Sequence, residues 1–130
     1  MYIVGDSYTL VTVATEEIIN KIAEVSLDVN PLHMDEEYAK KTRFGKRIAH
    51  GLFCLNAISA IIGVYLPGPG SIIMSENFNY VKPVYVDDEI STTLTITKVR
   101  EDKGIYTCFC ECKNQDGTVV LDGECVVMFK

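Results

Sequence analysis

Apolar residues recur at two different periods along the chain, and the change of period separates a helical first half from a stranded second half. Ser7 to Val13 alternates and is rich in β-branched residues, which predicts a short strand. Beyond it, Ile18, Ile19, Ile22, Ala23 and Val25 fall at helical spacing. Thr15 suits the N-cap, and Glu16 and Glu17 lie where the helix dipole favours anions. Pro31 is expected to stop this helix, with Asn30 biased towards extended geometry. A second, short helix is predicted after the N-cap Asp35, with Glu36 and Glu37 in its first turn and Lys40 and Lys41 at its end. Leu52 to Leu66 is almost wholly apolar, which predicts a helix surrounded by protein on all sides.

Pro67-Gly68-Pro69-Gly70 ends that helix, and strands divided by turn signals follow. In Ile90 to Val99 the apolar Ile90, Leu94 and Ile96 share one face, and Ser91, Thr93, Thr95 and Thr97 share the other. Asp102-Lys103-Gly104 turns the chain into Ile105 to Lys113, and Asn114-Gln115-Asp116-Gly117 turns it into Thr118 to Phe129. Val119, Leu121, Cys125, Val127 and Phe129 are expected on one side of the last strand. An antiparallel sheet wrapped around a long central helix, an α+β fold, satisfies both periods at once. At 130 residues, one domain over 1–130 is the expectation.

Composition narrows the partners. With 48% hydrophobic and 23% charged residues, the chain has the make-up of a globular protein. No basic stretch precedes an apolar run at the amino terminus, and Leu52 to Leu66 is short of the roughly 20 residues of a membrane span, so a soluble protein without a membrane partner is expected. An odd number of cysteines, five, without secretory context favours reduced thiols and a cytoplasmic location. Cys108, Cys110 and Cys112 share one strand face, which reads as core and not as a chelating CxxC. A net charge of -6 argues against nucleic acid. The local exception is the basic run Lys40, Lys41, Arg43, Lys46 and Arg47.

The densest reactive segment is Asp28-Val29-Asn30-Pro31-Leu32-His33. Positions five apart diverge on an unbroken helix, but a helix end and a bend at Pro31 can bring Asp28 and His33 to one point, where the two could deprotonate a water. Spacing alone favours the plainer reading, an Asp closing a helix and a His in a loop.

Resemblance changes the balance. Ser26-Leu27-Asp28-Val29-Asn30-Pro31-Leu32-His33, with Asp35, Tyr38-Ala39, Thr42, Phe44-Gly45 and Ile48-Ala49-His50-Gly51, resembles the hydratase-2 motif of MaoC-like R-specific enoyl-CoA hydratases. Leu66-Pro67-Gly68, Pro83-Val84 and Asp88-Glu89 extend the likeness. The resemblance implies a hot-dog fold, a homodimer, and reversible hydration of trans-2-enoyl-CoA to the R-3-hydroxyacyl form without metal or redox cofactor, the CoA thioester being the substrate. It also implies that Asp28 and His33 are the catalytic pair, that Asn30 orients the loop or the water, and that the Gly51 amide binds the thioester oxygen. Gly51 opens the apolar helix, where unpaired N–H groups and the dipole stabilise a developing oxyanion; a tight turn requiring glycine is the plainer role. His50 reads as structural.

Asn56 and Ser59, on one helix face, are expected towards an acyl tunnel; Ser59 corresponds to a serine near the active site of short bacterial members, although a serine bonding to its own helix fits equally. The basic run, Arg47 included, is a candidate for CoA phosphates, and a solvated helix end is its alternative. At Leu27 the family often has glycine; a last helical turn, where leucine fits, is expected. The competing functions are a 3-hydroxyacyl-thioester dehydratase of fatty-acid synthesis, a hot-dog acyl-CoA thioesterase, and a non-catalytic acyl-binding module; either CoA or acyl carrier protein is open as the carrier of the enoyl substrate. The thioesterase reading calls for a carboxylate on the central helix or nearby, and Leu52 to Leu66 has none.

Overall fold

The computed structural model describes residues 1–130. The elements follow in the order β1 (Ser7–Val13), α1 (Glu16–Ser26), α2 (Pro31–Met34), α3 (Glu36–Lys40), α4 (Leu52–Ala60), β2 (Ile72–Tyr80), β3 (Glu89–Arg100), β4 (Ile105–Lys113) and β5 (Val119–Met128). The strands form one five-stranded antiparallel sheet in the order β1-β3-β4-β5-β2. Its apolar face carries Ile90, Leu94, Ile96, Cys108, Cys110, Cys112, Cys125 and Val127, and α4 packs against it through Phe53, Cys54 and Ile58. All five cysteines are free, buried thiols in or beside this core. No helix is long and apolar enough to cross a membrane.

Four local expectations are corrected. α1 ends at Ser26, before Pro31, because Leu27 adopts the left-handed conformation (φ 66, ψ 10) and its N–H closes on the Ala23 carbonyl at 2.9 Å. Pro31 therefore begins a helix: it opens α2, where its fixed φ and missing N–H cost nothing. The apolar segment from Leu52 is not covered on all sides, since Leu52, Val64 and Tyr65 are exposed in the chain by itself, and its last turn, Ile61–Tyr65, widens to a π-helix. In β5 an irregularity lies between the pairs Cys112↔Leu121 and Lys113↔Val119, so Val120, and not Val119, enters the core.

Leu27 carries a prediction. A left-handed L-residue costs roughly 1–2 kcal/mol, and this side chain is 82% exposed, so it recovers little by burial. Glycine removes the strain but adds about 0.4–1 kcal/mol of freedom to the unfolded chain. Leu27→Gly is expected to raise the unfolding free energy by about 0.5–1 kcal/mol. A urea midpoint unchanged or lowered, at constant m-value, would contradict this.

Candidate active site

Short polar closures of the chain shape the loop between α1 and α2. The Asp28 N–H donates to Ser26 Oγ at 3.1 Å, the Asn30 N–H to Asp28 Oδ1 at 3.1 Å, and the Leu32 N–H to Asn30 Oδ1 at 3.0 Å. Asn30 is thus the N-cap of α2, and Pro31 its first residue. This places His33, one turn into α2, back beside Asp28: His33 Nε2 lies 3.9 Å from Asp28 Oδ2. The intervening bend resolves the divergence expected of an unbroken helix.

The His33 ring is fixed from behind. Its Nδ1 lies 2.8 Å from the Ile48 carbonyl, an acceptor only, so Nδ1 carries a proton and, in the neutral ring, Nε2 presents a lone pair towards Asp28. Separation by 3.9 Å is too long for a direct hydrogen bond and suits one water shared by both groups. The Asp28 side chain is about half exposed and that of His33 nearly buried, so the pair joins an open, solvated acceptor to a rigid one.

His50, 2% exposed, stacks on the His33 ring at 4.1 Å between centroids and reaches the Asp28 carbonyl through Nε2 at 2.9 Å. Gly51 follows it as the N-cap of α4. Its φ of -54 and ψ of -31 are ordinary right-handed values, so the turn itself does not demand glycine. A Cβ there would lie 2.7 Å from Cε1 of Tyr80, so any larger residue would have to displace that ring. No hydrogen bond within the fold engages the Gly51 N–H, which stays free at a positive helix end.

His33, His50, Gly51, Cys54 and Tyr80 wall a cleft of about 290 Å³, with Arg43 and Lys82 as its cationic residues; Asp28 is not part of that wall and stands beside it at His33. Burial, then the neighbouring Cys54 and Glu76, pushes the Tyr80 phenol up, so it remains a hydrogen-bond donor at neutral pH. A hydrogen bond with Cys112, together with burial, pushes the Cys54 thiol far above its usual range. Cys54 is wall and not nucleophile, since the thiolate is the reactive form.

Three of the sequence-predicted residues fall elsewhere. Arg47 is buried; its Nε donates to the His33 carbonyl at 2.6 Å and its Nη1 to Glu16 at 2.9 Å, so both ends are committed and neither reaches a phosphate. Asn56 lines a separate shallow groove with Ile18, Lys21, Ile22, Val25 and Leu52. Ser59 is exposed on the same outer side of α4 and lines neither hollow. The helix turns Phe53, Cys54, Ala57 and Ile58 to the sheet, and the polar positions take the opposite face. Of the basic run only Arg43 lines the cleft; Lys40 pairs with Glu37 at 3.0 Å and Lys46 lies over the Tyr85 ring. Tyr80 and Lys82 were missed because their arrival at the cleft depends on β2 pairing with β5, which no local spacing encodes.

Arg47 yields a second prediction. Arg47→Met keeps the stem's packing and removes two charge-assisted hydrogen bonds, while Glu16 stays solvated. The expected loss is about 1–3 kcal/mol of stability, read from chemical denaturation. No change in midpoint would mean that the clamp on His33 contributes nothing.

Fold and site together define a hot-dog protein: a single antiparallel sheet on a central helix, with a carboxylate and an imidazole gathered at that helix's N-terminus. The MaoC like domain family matches residues 5–108. The chain is 38% identical to an (R)-specific enoyl-CoA hydratase of Rhodospirillum rubrum, over 95% of this chain and 85% of that one. It is 37% identical to a mitochondrial 3-hydroxyacyl-[acyl-carrier-protein] dehydratase of Arabidopsis thaliana, over 93% and 74% of the two chains. The solved (R)-hydratase of A. caviae, described as involved in PHA biosynthesis, superposes with a TM-score of 0.96 at 33% identity, covering 99% of this chain and 98% of that one. The chain belongs to the MaoC-like family.

Proposed function

We propose that this chain, working as one MaoC-like domain, adds water reversibly to a trans-2-enoyl thioester and gives the R-3-hydroxyacyl product. The observation that carries the reading is the 3.9 Å opening between Asp28 Oδ2 and His33 Nε2, with the imidazole lining the same cleft as Gly51 and its unpaired N–H. The relatives named hydratase and dehydratase support the same chemistry in its two directions.

Water held between the two acceptors loses a proton to one of them as its oxygen bonds to the β-carbon. The electron pair of the double bond moves to the α-carbon, with charge on the thioester oxygen, and a proton from the pair's corner then closes the α-carbon. One water is consumed, and its oxygen and two hydrogens all remain in the product. The Gly51 N–H, at the positive end of α4, stabilises the enolate oxygen. Arg43 and Lys82 supply charge for the phosphates of CoA or of an acyl-carrier arm, the role first expected of Arg47.

The deciding experiment incubates the protein with enoyl-CoAs of graded length and with an enoyl-acyl carrier protein, followed by chiral analysis. R product is expected; S product, or no hydration of any thioester, overturns the reading. No metal or redox cofactor enters the scheme. Asp28, His33 and His50 could approach a common ion, their ligand atoms lying within 4.8 Å of one another, so the scheme is tested with a chelator: activity unchanged after exhaustive treatment is expected, and loss restored by zinc would refute it. A homodimer is part of the proposal, supported by the unpaired edge of β2 and by exposed apolar Val25, Leu27, Val29 and Leu52 near the loop. An active monomer in sedimentation would count against it. A cytoplasmic site of action, supported by the free thiols, completes it.

A further inference from the structure

We infer that His50 is a positioning residue whose single N–H holds Asp28 in register with His33 and Gly51. The inference rests on the hydration scheme for its kinetic consequence and on geometry alone for the contact.

Leu27, Asp28, Val29 and Asn30 are all exposed, and nearly every hydrogen bond they make is local: Leu27 to Ala23, Asp28 to Ser26, Asn30 to Asp28, and the Asn30 side chain and carbonyl to Leu32 and His33. One bond ties the segment to the body of the protein, from His50 Nε2 to the Asp28 carbonyl at 2.9 Å. Without it, the loop that carries the carboxylate would hang from a left-handed leucine and the start of α2.

A carbonyl only accepts, so His50 carries its proton on Nε2, and in the neutral ring Nδ1 is bare. That Nδ1 is buried without any partner. A histidine kept for core packing alone would be expected to satisfy both ring nitrogens, since buried polar atoms are nearly always paired. His50 satisfies only the one aimed at the loop. Its ring meanwhile stacks on His33, and its backbone leads directly into Gly51, so one residue touches the carboxylate's loop, the imidazole and the oxyanion amide. The carboxylate and the imidazole come from one segment and the amide from another, and His50 sets their relative position.

Two variants separate the N–H from the ring. His50→Gln offers an amide N–H at the reach of Nε2 without the ring; His50→Phe keeps a stacked ring without the donor. His50→Phe is expected to lower kcat by about 10² with KM within about threefold, the scale of a catalytic group displaced by about an ångström, and His50→Gln to recover to within about tenfold of the parent. A folded His50→Phe variant within threefold of the parent, or a His50→Gln variant damaged by 10² or more, overturns the inference. If His50→Phe does not fold, His50→Gln decides alone. The contact is also read without turnover, from the imidazole nitrogen resonances of the full chain: a proton on Nε2 is expected, and a proton on Nδ1 overturns the assignment. Absence of hydration in the parent would defeat the proposed reaction, while the tautomer would still decide the contact.

Discussion

Asp28→Asn and His33→Asn are each expected to cut kcat by about 10² to 10⁴ in a protein that remains folded. The structure explains why these replacements are clean. In Asp28→Asn the new amide retains an oxygen in place of Oδ1, so the bond from the Asn30 N–H survives, and the half-exposed side chain buries no new charge. In His33→Asn the amide nitrogen matches Nδ1 and can still donate to the Ile48 carbonyl, whereas Nε2, the face towards Asp28, is lost. What disappears in each case is one of the two proton carriers at the 3.9 Å opening. Both carriers act on the reacting water and the α-carbon, so the effect falls on kcat, with KM changed much less. Matching melting temperatures with near-normal hydration in both variants would show that the chemistry lies elsewhere.

Gly51→Ala is expected to lower kcat/KM by about 10² to 10³, the scale of losing an oxyanion donor. Alanine suits the backbone angles of this position, and Tyr80 is 61% exposed, so its ring can swing away from the new methyl group without unfolding the chain. The methyl group then stands where the thioester oxygen must approach the N–H. Displacement of Tyr80 and obstruction of the amide are separated by repeating the change in a Tyr80→Ala background, where no ring is left to collide with. Activity should still collapse there. If Gly51→Ala costs nothing once Tyr80 is removed, the amide is not the oxyanion site and the damage came from the displaced ring.

Much of the fold was legible from short-range pattern, because short-range physics fixes it. Thr15 accepts from the Ile18 N–H and Asp35 from the Tyr38 N–H, as their side chains and positions predict. Alternation in β3 and β4 set which residues face the core, and Ile90, Leu94, Ile96, Cys108, Cys110 and Cys112 are all fully buried. Asp28 and His33 could be singled out since both lie in one segment, although resemblance to a family, and not their spacing, raised them above an ordinary loop.

The order of residues alone was therefore enough for the elements, the inward face of most strands and the pair of candidate proton carriers, all of which depend on neighbours a few positions away. The rest waited on the closed fold. Leu27's left-handed backbone, not Pro31, ends α1; Arg47 turns inward because the His33 carbonyl and Glu16 lie around it; Asn56 and Ser59 take the outer face of α4 because the sheet claims the other. His50 acquires its place through contacts with Asp28 and His33, 22 positions away in the first case, and Tyr80 reaches Gly51 only after β2 has paired with β5. Such contacts follow from long-range packing, where the partner of a polar group is whichever group the tertiary structure brings within about 3 Å of it.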